Sequence, residues 1–149
     1  MNEKKWFIEI DEFDRKERKL LNFGHSFGHA LEAATSFHLS HGIAVLIGMK
    51  SALIHARSSA RISGLSKFIS SEIGASGIEA RKLLINRSTF LTALGKDKKN
   101  SSEFLKLILP NDDGFLEVVS FPLNQESLKE CFASTTGALD ELGIDYEVL

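Results

Sequence analysis

The stretch Arg18-Lys-Leu-Leu-Asn-Phe-Gly-His-Ser-Phe-Gly-His-Ala-Leu-Glu32 decides the fold, because its polar and apolar residues recur with helical spacing. At about 100° per residue, a helix from Glu17 to about Ser36 places five polar side chains within roughly 40° of one line. These are Arg18, Asn22, His25, His29 and Glu32. Apolar residues occupy the opposite side, so we expect the helix to pack by that side and to present a polar stripe.

The composition of this stripe indicates ligand binding. A solvated helix face normally carries Lys and Glu, whereas this one carries two imidazoles, a carboxamide and a guanidinium. Gly24 and Gly28 flank the stripe, and each costs about 1 kcal/mol of helix stability relative to alanine. That cost predicts a close approach of another backbone or a ligand.

The histidines of the stripe are candidate metal ligands. His25 and His29 can share a metal, and either can share one with His41, which follows in a predicted Ser40-His41-Gly42 turn. An isolated HxxxH pair is more often structural, but five aligned polar residues, two glycines and a nearby His-Gly turn favour metal binding here. A third ligand is not evident. The glutamate of an HExxH protease helix is absent, so metalloprotease chemistry is disfavoured.

The rest of the chain predicts a mainly α fold, a multi-helical domain with a small β-hairpin. Periodicity and turn residues give a second helix from Ile43 to about Arg61 and a hairpin of Phe104–Leu109 with Phe115–Val119. Further helices are predicted at Leu65–Ile73, Ile78–Ile85, Ser88–Leu94 and Asn124–Leu142. We interpret residues 1–149 as a single domain.

Composition excludes several functional classes. A net charge of -2 provides no field to attract nucleic acid or an anionic membrane. The sequence has no apolar run near the ~20 residues that span a bilayer. Cys131 is the only cysteine and cannot form an internal disulfide, which fits a reducing environment. We therefore predict a soluble cytoplasmic protein without a nucleic-acid or membrane partner.

A second charged cluster is Lys96-Asp97-Lys98-Lys99-Asn100. Alone it is typical of an exposed basic turn. Combined with Arg18, Lys98 or Lys99 could hold a phosphate or carboxylate of a substrate. His38 and His55 are expected at the surface or an edge, without chemistry.

The run from Arg18 to Glu32, followed by His41-Gly-Ile-Ala-Val-Leu-Ile-Gly48-Met, closely resembles the signature of 3-dehydroquinate synthase and related sugar-phosphate cyclases. The resemblance extends to Lys4 and Asp11-Glu12 upstream, and to Asp97–Lys99 and Leu107–Pro110 downstream. It implies the metal- and substrate-binding carboxy-terminal half of such an enzyme. The amino-terminal NAD-binding domain would be absent from this chain, which has no GxGxxG loop.

The same resemblance implies roles for individual residues. His25 and His41 would bind Zn²⁺ or Co²⁺, and a glutamate from outside the matched region would be the remaining ligand. Residues expected to act on the substrate as catalytic or contacting groups are Lys4, Arg18, Asn22 and His29, with Lys98 or Lys99 binding it. Asp14 stands where the family usually has a glutamate.

The implied reaction is an NAD- and metal-dependent, phosphate-eliminating cyclisation. The substrate would be 3-deoxy-arabino-heptulosonate 7-phosphate, giving 3-dehydroquinate in the shikimate pathway of aromatic amino acid biosynthesis, or a related sugar phosphate. The enzyme would be a carbon–oxygen lyase that is inactive as the isolated domain. Its partners would be the phosphorylated sugar acid and the NAD-binding domain, and an uncovered cleft face is compatible with a homodimer.

Two departures from the family pattern bear on the substrate. The usual His-Gly-Glu is His41-Gly42-Ile43 here, and Ser26 replaces a threonine. Loss of a carboxylate beside a metal ligand can alter ligand orientation and pocket polarity. Two alternatives remain open: a domain like those of iron- or zinc-dependent alcohol and glycerol dehydrogenases, in which both helix histidines would bind metal, and a non-catalytic helical binding module.

Overall fold

The computed structural model describes residues 22–57, 63–78, 81–96 and 103–149. Over these ranges it is mainly helical, as predicted. The helices are α1 (His25–Ala34), α2 (His41–His55), α3 (Ser63–Ser76), α4 (Arg87–Gly95) and α5 (Gln125–Glu141). The strands are β1 (Leu83–Ile85), β2 (Phe104–Pro110), β3 (Leu116–Pro122) and β4 (Tyr146–Val148).

Helix α1 is shorter than its periodicity predicts. It begins at His25, after a turn over residues 22–24, so the prediction of a helix already continuous at Asn22 is wrong. Gly24 has φ +81°, a left-handed conformation that interrupts a right-handed helix. Residues 17–21 of the predicted helix lie outside the described residues.

Helix α2 also differs from its predicted bounds. Ser40 is extended (φ -65°, ψ 150°) and precedes the helix, so His41 and Gly42 form its first turn rather than a loop. The helix ends at His55 rather than near Arg61, because Ala56 caps it and Arg57 has φ +50°. His41 therefore has a helical backbone, which limits the directions its side chain can take.

The crossing of α1 and α2 depends on glycine. A Cβ added to Gly24 would lie 2.6 Å from the backbone nitrogen of Met49, and one added to Gly28 would lie 3.0 Å from the carbonyl oxygen of Ala44. A Cβ on Gly48 would overlap the carbonyl oxygen of Gly24. The predicted close approach is thus a helix–helix contact made by backbone on backbone.

One hydrophobic core joins the two sides of this crossing. The predicted apolar side of α1 is buried, with Phe27 and Leu31 at most 2% exposed. Ala44 and Ile47 of α2 are fully buried beside them. Helix α5 packs on α2, and Lys50 of α2 forms an ion pair with Glu141 of α5 at 2.7 Å. The polar side of α1 is consequently held at a fixed angle to the amino-terminal end of α2.

The predicted β-hairpin is confirmed. Strands β2 and β3 pair antiparallel, with Phe104 opposite Pro122 and Pro110 opposite Leu116. Asn111 shapes the turn, since its Oδ1 accepts hydrogen bonds at 3.0 Å from the backbone nitrogens of Asp113 and Phe115. The inward residues of β2, including Leu105 and Leu107, are about 1% exposed and extend the core.

The predicted helix over Ile78–Ile85 is wrong. Leu83–Ile85 form strand β1, which pairs in parallel with β4 near the end of the chain, Leu83 lying opposite Tyr146. Three-residue apolar strands carry no period that separates them from a helix.

The predictions for α3, α4 and α5 are confirmed to within a few residues. None of the described helices is long and apolar enough to cross a membrane.

Candidate metal and substrate site

Three imidazoles meet where the polar side of α1 faces the first turn of α2. The ring centroids of His25 and His29 lie 5.6 Å apart, those of His25 and His41 5.4 Å, and those of His29 and His41 5.6 Å. The i, i+4 spacing on α1 sets the first distance, and the glycine crossing brings His41 to both. The structure thus brings together the three histidines that the sequence singled out.

A carboxylate lies against this cluster on its buried side. Glu32, one turn beyond His29 on α1, has both carboxylate oxygens 3.3 Å from Nδ1 of His41. Its side chain is only 12% exposed, whereas that of His41 is 58% exposed. Sequence periodicity placed Glu32 on the polar stripe but did not reveal that it is buried against His41.

The donor set suits a divalent transition metal. Ligand atoms of His29, Glu32 and His41 lie within 4.8 Å of one another, and His25 is in ring contact with both histidines. Imidazole nitrogen with carboxylate oxygen is a common donor combination for zinc and related ions. His29 and His41 are exposed, so an ion and a substrate can reach them from one side.

The predicted substrate residues are only partly described. Asn22 lies in the turn before α1, half-buried, and its carbonyl oxygen accepts a hydrogen bond at 2.9 Å from the backbone nitrogen of His25. It is therefore adjacent to the histidine cluster in the chain, but it is not part of a helical stripe. Lys4, Arg18, Lys98 and Lys99 lie outside the described residues.

Ile43, at the position of the usual family glutamate, packs partly buried against the hydrophobic core. An apolar side chain is compatible with this environment, whereas a carboxylate would need a polar partner. The carboxylate that contacts His41 in the described part of the chain comes instead from Glu32.

His55 is more buried than the sequence suggested. It lies between Phe27 and Phe121, with ring centroids 5.8 Å and 5.4 Å away, and its Nδ1 is 2.9 Å from Oγ of Ser134 on α5. Burial lowers the pKa of His55 most, Glu130 opposes the shift, and Arg57 adds to it. This residue joins α2 to α5 and β3 and lies apart from the three clustered imidazoles.

His38 is exposed, as predicted, with Nδ1 2.8 Å from the carbonyl oxygen of Thr35.

Fold and site together define a helical domain in which a glycine-mediated helix pair presents a histidine cluster. The family model described as "3-dehydroquinate synthase C-terminal" matches residues 1–100 of the chain. The chain therefore belongs to the 3-dehydroquinate synthase carboxy-terminal family, which confirms the resemblance in its sequence.

Individual relatives agree with this assignment. The chain is 36% identical over 129 residues to a 3-dehydroquinate synthase of Streptococcus equi subsp. equi, covering 80% of this chain and 34% of the relative. It is 35% identical over 117 residues to that of a Thermoanaerobacter species, covering 76% of this chain and 32% of the relative. With that of Dehalococcoides mccartyi strain BAV1 it shares 40% identity over 104 residues, or 66% and 28% of the two chains. The chain thus spans about a third of the length of these relatives.

Proposed function

We propose that this chain is the metal- and substrate-binding half of a 3-dehydroquinate synthase-like lyase. The observation that carries the proposal is the convergence of His25, His29 and His41, from two helices, on one exposed surface in a member of this family. Because the chain spans only a third of its relatives, an NAD-binding domain is proposed as its partner in the active protein.

The proposed metal ligands within the chain are His25 and His41, holding Zn²⁺ or Co²⁺ together with a ligand from the partner domain. The bound metal would supply Lewis-acid polarisation of the substrate's reacting oxygen, and NAD on the partner domain would supply hydride transfer. His29, whose ring is 5.6 Å from each of the other two, is then free to contact the departing phosphate.

Cationic side chains would bind the anionic groups of the substrate, and an amide side chain would bind one of its hydroxyls. Arg18, Lys4 and one of Lys98 or Lys99 would pair with its phosphate or carboxylate, and Asn22 would bind a hydroxyl. These groups position the substrate, so that the phosphate leaves from a fixed geometry. The proposed substrate is 3-deoxy-arabino-heptulosonate 7-phosphate or a related sugar phosphate, the second option resting on Ile43 beside His41.

Reconstitution tests this function. The chain is mixed with a separately expressed NAD-binding half from the same source, together with Zn²⁺, NAD and 3-deoxy-arabino-heptulosonate 7-phosphate, and inorganic phosphate is measured. We expect phosphate release from the mixture, none from either half alone, and none when the chain carries His25→Ala. His38→Ala is the matched control, since His38 is exposed and bonds to the carbonyl of Thr35 outside the cluster. Absence of phosphate from every mixture contradicts the proposal.

A dehydrogenase is the second candidate, because His29 lies only 0.2 Å farther from His41 than His25 does, at 5.6 Å against 5.4 Å, and could also bind the metal. The same assay separates the two. A cyclase returns its hydride and leaves NAD oxidised, whereas an alcohol dehydrogenase accumulates reduced nicotinamide with a non-phosphorylated alcohol. A binding module yields neither product.

A further inference from the structure

Glu32 and His41 have opposite accessibilities although their side chains are in contact. The Glu32 side chain is 12% exposed and lies on the protein side, whereas His41 is 58% exposed and lies over it. The carboxylate is therefore behind the imidazole as viewed from the surface that the three histidines share.

The contact involves one particular ring nitrogen. Both oxygens of Glu32 are 3.3 Å from Nδ1 of His41, at the long end of the hydrogen-bonding range, as expected for one N–H shared between two acceptors. An ionised carboxylate only accepts, so this contact is a hydrogen bond when Nδ1 carries the proton. Nε2, on the far edge of the ring, is then left with its lone pair available to a ligand.

We propose that Glu32 is a positioning residue for His41: it holds Nδ1–H, fixes the tautomer and directs Nε2 towards the exposed space shared with His25. This inference rests on the proposed function, because it assumes that His41 binds a metal. It assigns to this chain the outer carboxylate of a carboxylate–histidine–metal arrangement, which orients the ring and raises its basicity as a ligand.

The alternative is that Glu32 is itself a ligand, since its oxygens belong to the group of donor atoms within 4.8 Å. Ring geometry disfavours this for a metal on His41. Nδ1 and Nε2 are on opposite edges of the imidazole, and a carboxylate already centred on Nδ1 is not placed to meet an ion bound at Nε2. The carboxylate is also buried behind the ring, which likewise disfavours its binding an ion on the exposed side.

The first test needs no metal, cofactor or substrate. Two-dimensional ¹⁵N–¹H correlation of the histidine rings in the metal-free chain at pH 8 reports which nitrogen of each is protonated. We expect His41 as the Nδ1–H tautomer in the native chain. In Glu32→Ala we expect a shift towards the Nε2–H tautomer, which free histidine favours. An unchanged His41 tautomer in that variant would overturn the proposal.

The second test measures Zn²⁺ affinity and coordination. Loss of a residue that hydrogen-bonds a metal-binding histidine typically weakens metal binding 10–100-fold, so we expect Glu32→Ala to lose zinc affinity by a factor in this range. Glu32→Gln, of the same shape, keeps an acceptor for Nδ1–H and should lose less. The control is Glu72→Gln, the same change on the exposed face of α3, which should leave affinity unchanged. X-ray absorption of the zinc-loaded proteins should show the same number of nitrogen and oxygen ligands in native chain and Glu32→Gln.

The glutamine variant keeps the proposal falsifiable if Glu32→Ala does not fold. One ligand fewer in the absorption spectrum of zinc-loaded Glu32→Gln contradicts a positioning role. Failure of the proposed function can be told apart from failure of this inference. Phosphate release can be absent while the His41 tautomer depends on Glu32, and phosphate release can be present while the tautomer does not.

Discussion

Gly48 and Gly24 contact each other through their backbones, so that a Cβ on Gly48 would overlap the carbonyl oxygen of Gly24. This contact sets the distance between α1, which carries His25 and His29, and α2, which carries His41. The histidine cluster therefore depends on a residue with no side chain, located two turns along α2 from the site.

Gly48→Ala should consequently destabilise the chain and disturb the site. The overlap is with backbone, which cannot move aside cheaply, so we expect a loss of about 1–3 kcal/mol of unfolding free energy, as for other overpacked cores. Urea denaturation measures it. Gly74→Ala, within α3 where a Cβ meets nothing within 4 Å, should instead be neutral or stabilising by up to about 1 kcal/mol. Equal effects of the two changes would contradict the crossing described.

His55 should make stability depend on pH. Its pKa in the folded chain is below the ordinary value near 6.5, chiefly because of burial, so the unfolded chain takes up the proton first as pH falls. The contribution of neutral His55 is complete above about pH 6.5 and declines below it, down to the folded pKa. Urea midpoints at pH 7.5 and 5.5 should therefore differ less in His55→Gln than in the native chain. His38→Gln is the control, and an undiminished difference in His55→Gln would refute the assignment.

Cys131 should be unreactive in the folded chain. It is 1% exposed, and burial raises its pKa to about 12, so almost no thiolate exists at pH 8. A chromogenic disulfide reagent should modify it only after denaturant is added, at the rate of an unhindered thiol. Rapid modification without denaturant would show that the core around α5 is open.

Asn124 should contribute to the stability of α5. Its side-chain oxygen accepts a hydrogen bond at 2.9 Å from the backbone nitrogen of Ser127, satisfying one free donor of the first turn. Asn124→Ala should cost about 1 kcal/mol of unfolding free energy in urea denaturation. Gln125→Ala, an exposed amide one position along, should cost much less, and a reversal of this order would exclude the cap.

Features set by local periodicity were predictable from the sequence. The apolar side of α1, the hairpin with its Asn111 turn, and the helix starting beyond Asn124 all follow from residues close together in the chain. Features set by distant residues were not. The close approach of Gly24 to Met49 and the pairing of strand β1 with β4, more than 60 positions away, are both invisible to a local pattern.

The features of the site also divide into those that local spacing predicts and those that tertiary packing sets. Helical spacing placed His25, His29 and Glu32 on one side of α1, and the nearby His41 was identified by its residue type. Which of them is buried is a tertiary property. Glu32 was predicted on the same polar stripe as His25 and His29, and only the packing of α2 shows that it lies beneath His41. His55 was misjudged for the same reason, since its aromatic neighbours come from α1 and β3.

Zinc binding is the most direct test of the central claim that His25 and His41 hold a metal ion. Calorimetry at neutral pH is performed on the native chain, on His25→Ala, on His41→Ala and on His38→Ala, each alone and with the separately expressed NAD-binding half. We predict binding by the native chain and by His38→Ala, strengthened by the other half, and its loss in His25→Ala and His41→Ala. No zinc binding by the native chain under either condition, or equal binding by all four proteins, would contradict the account.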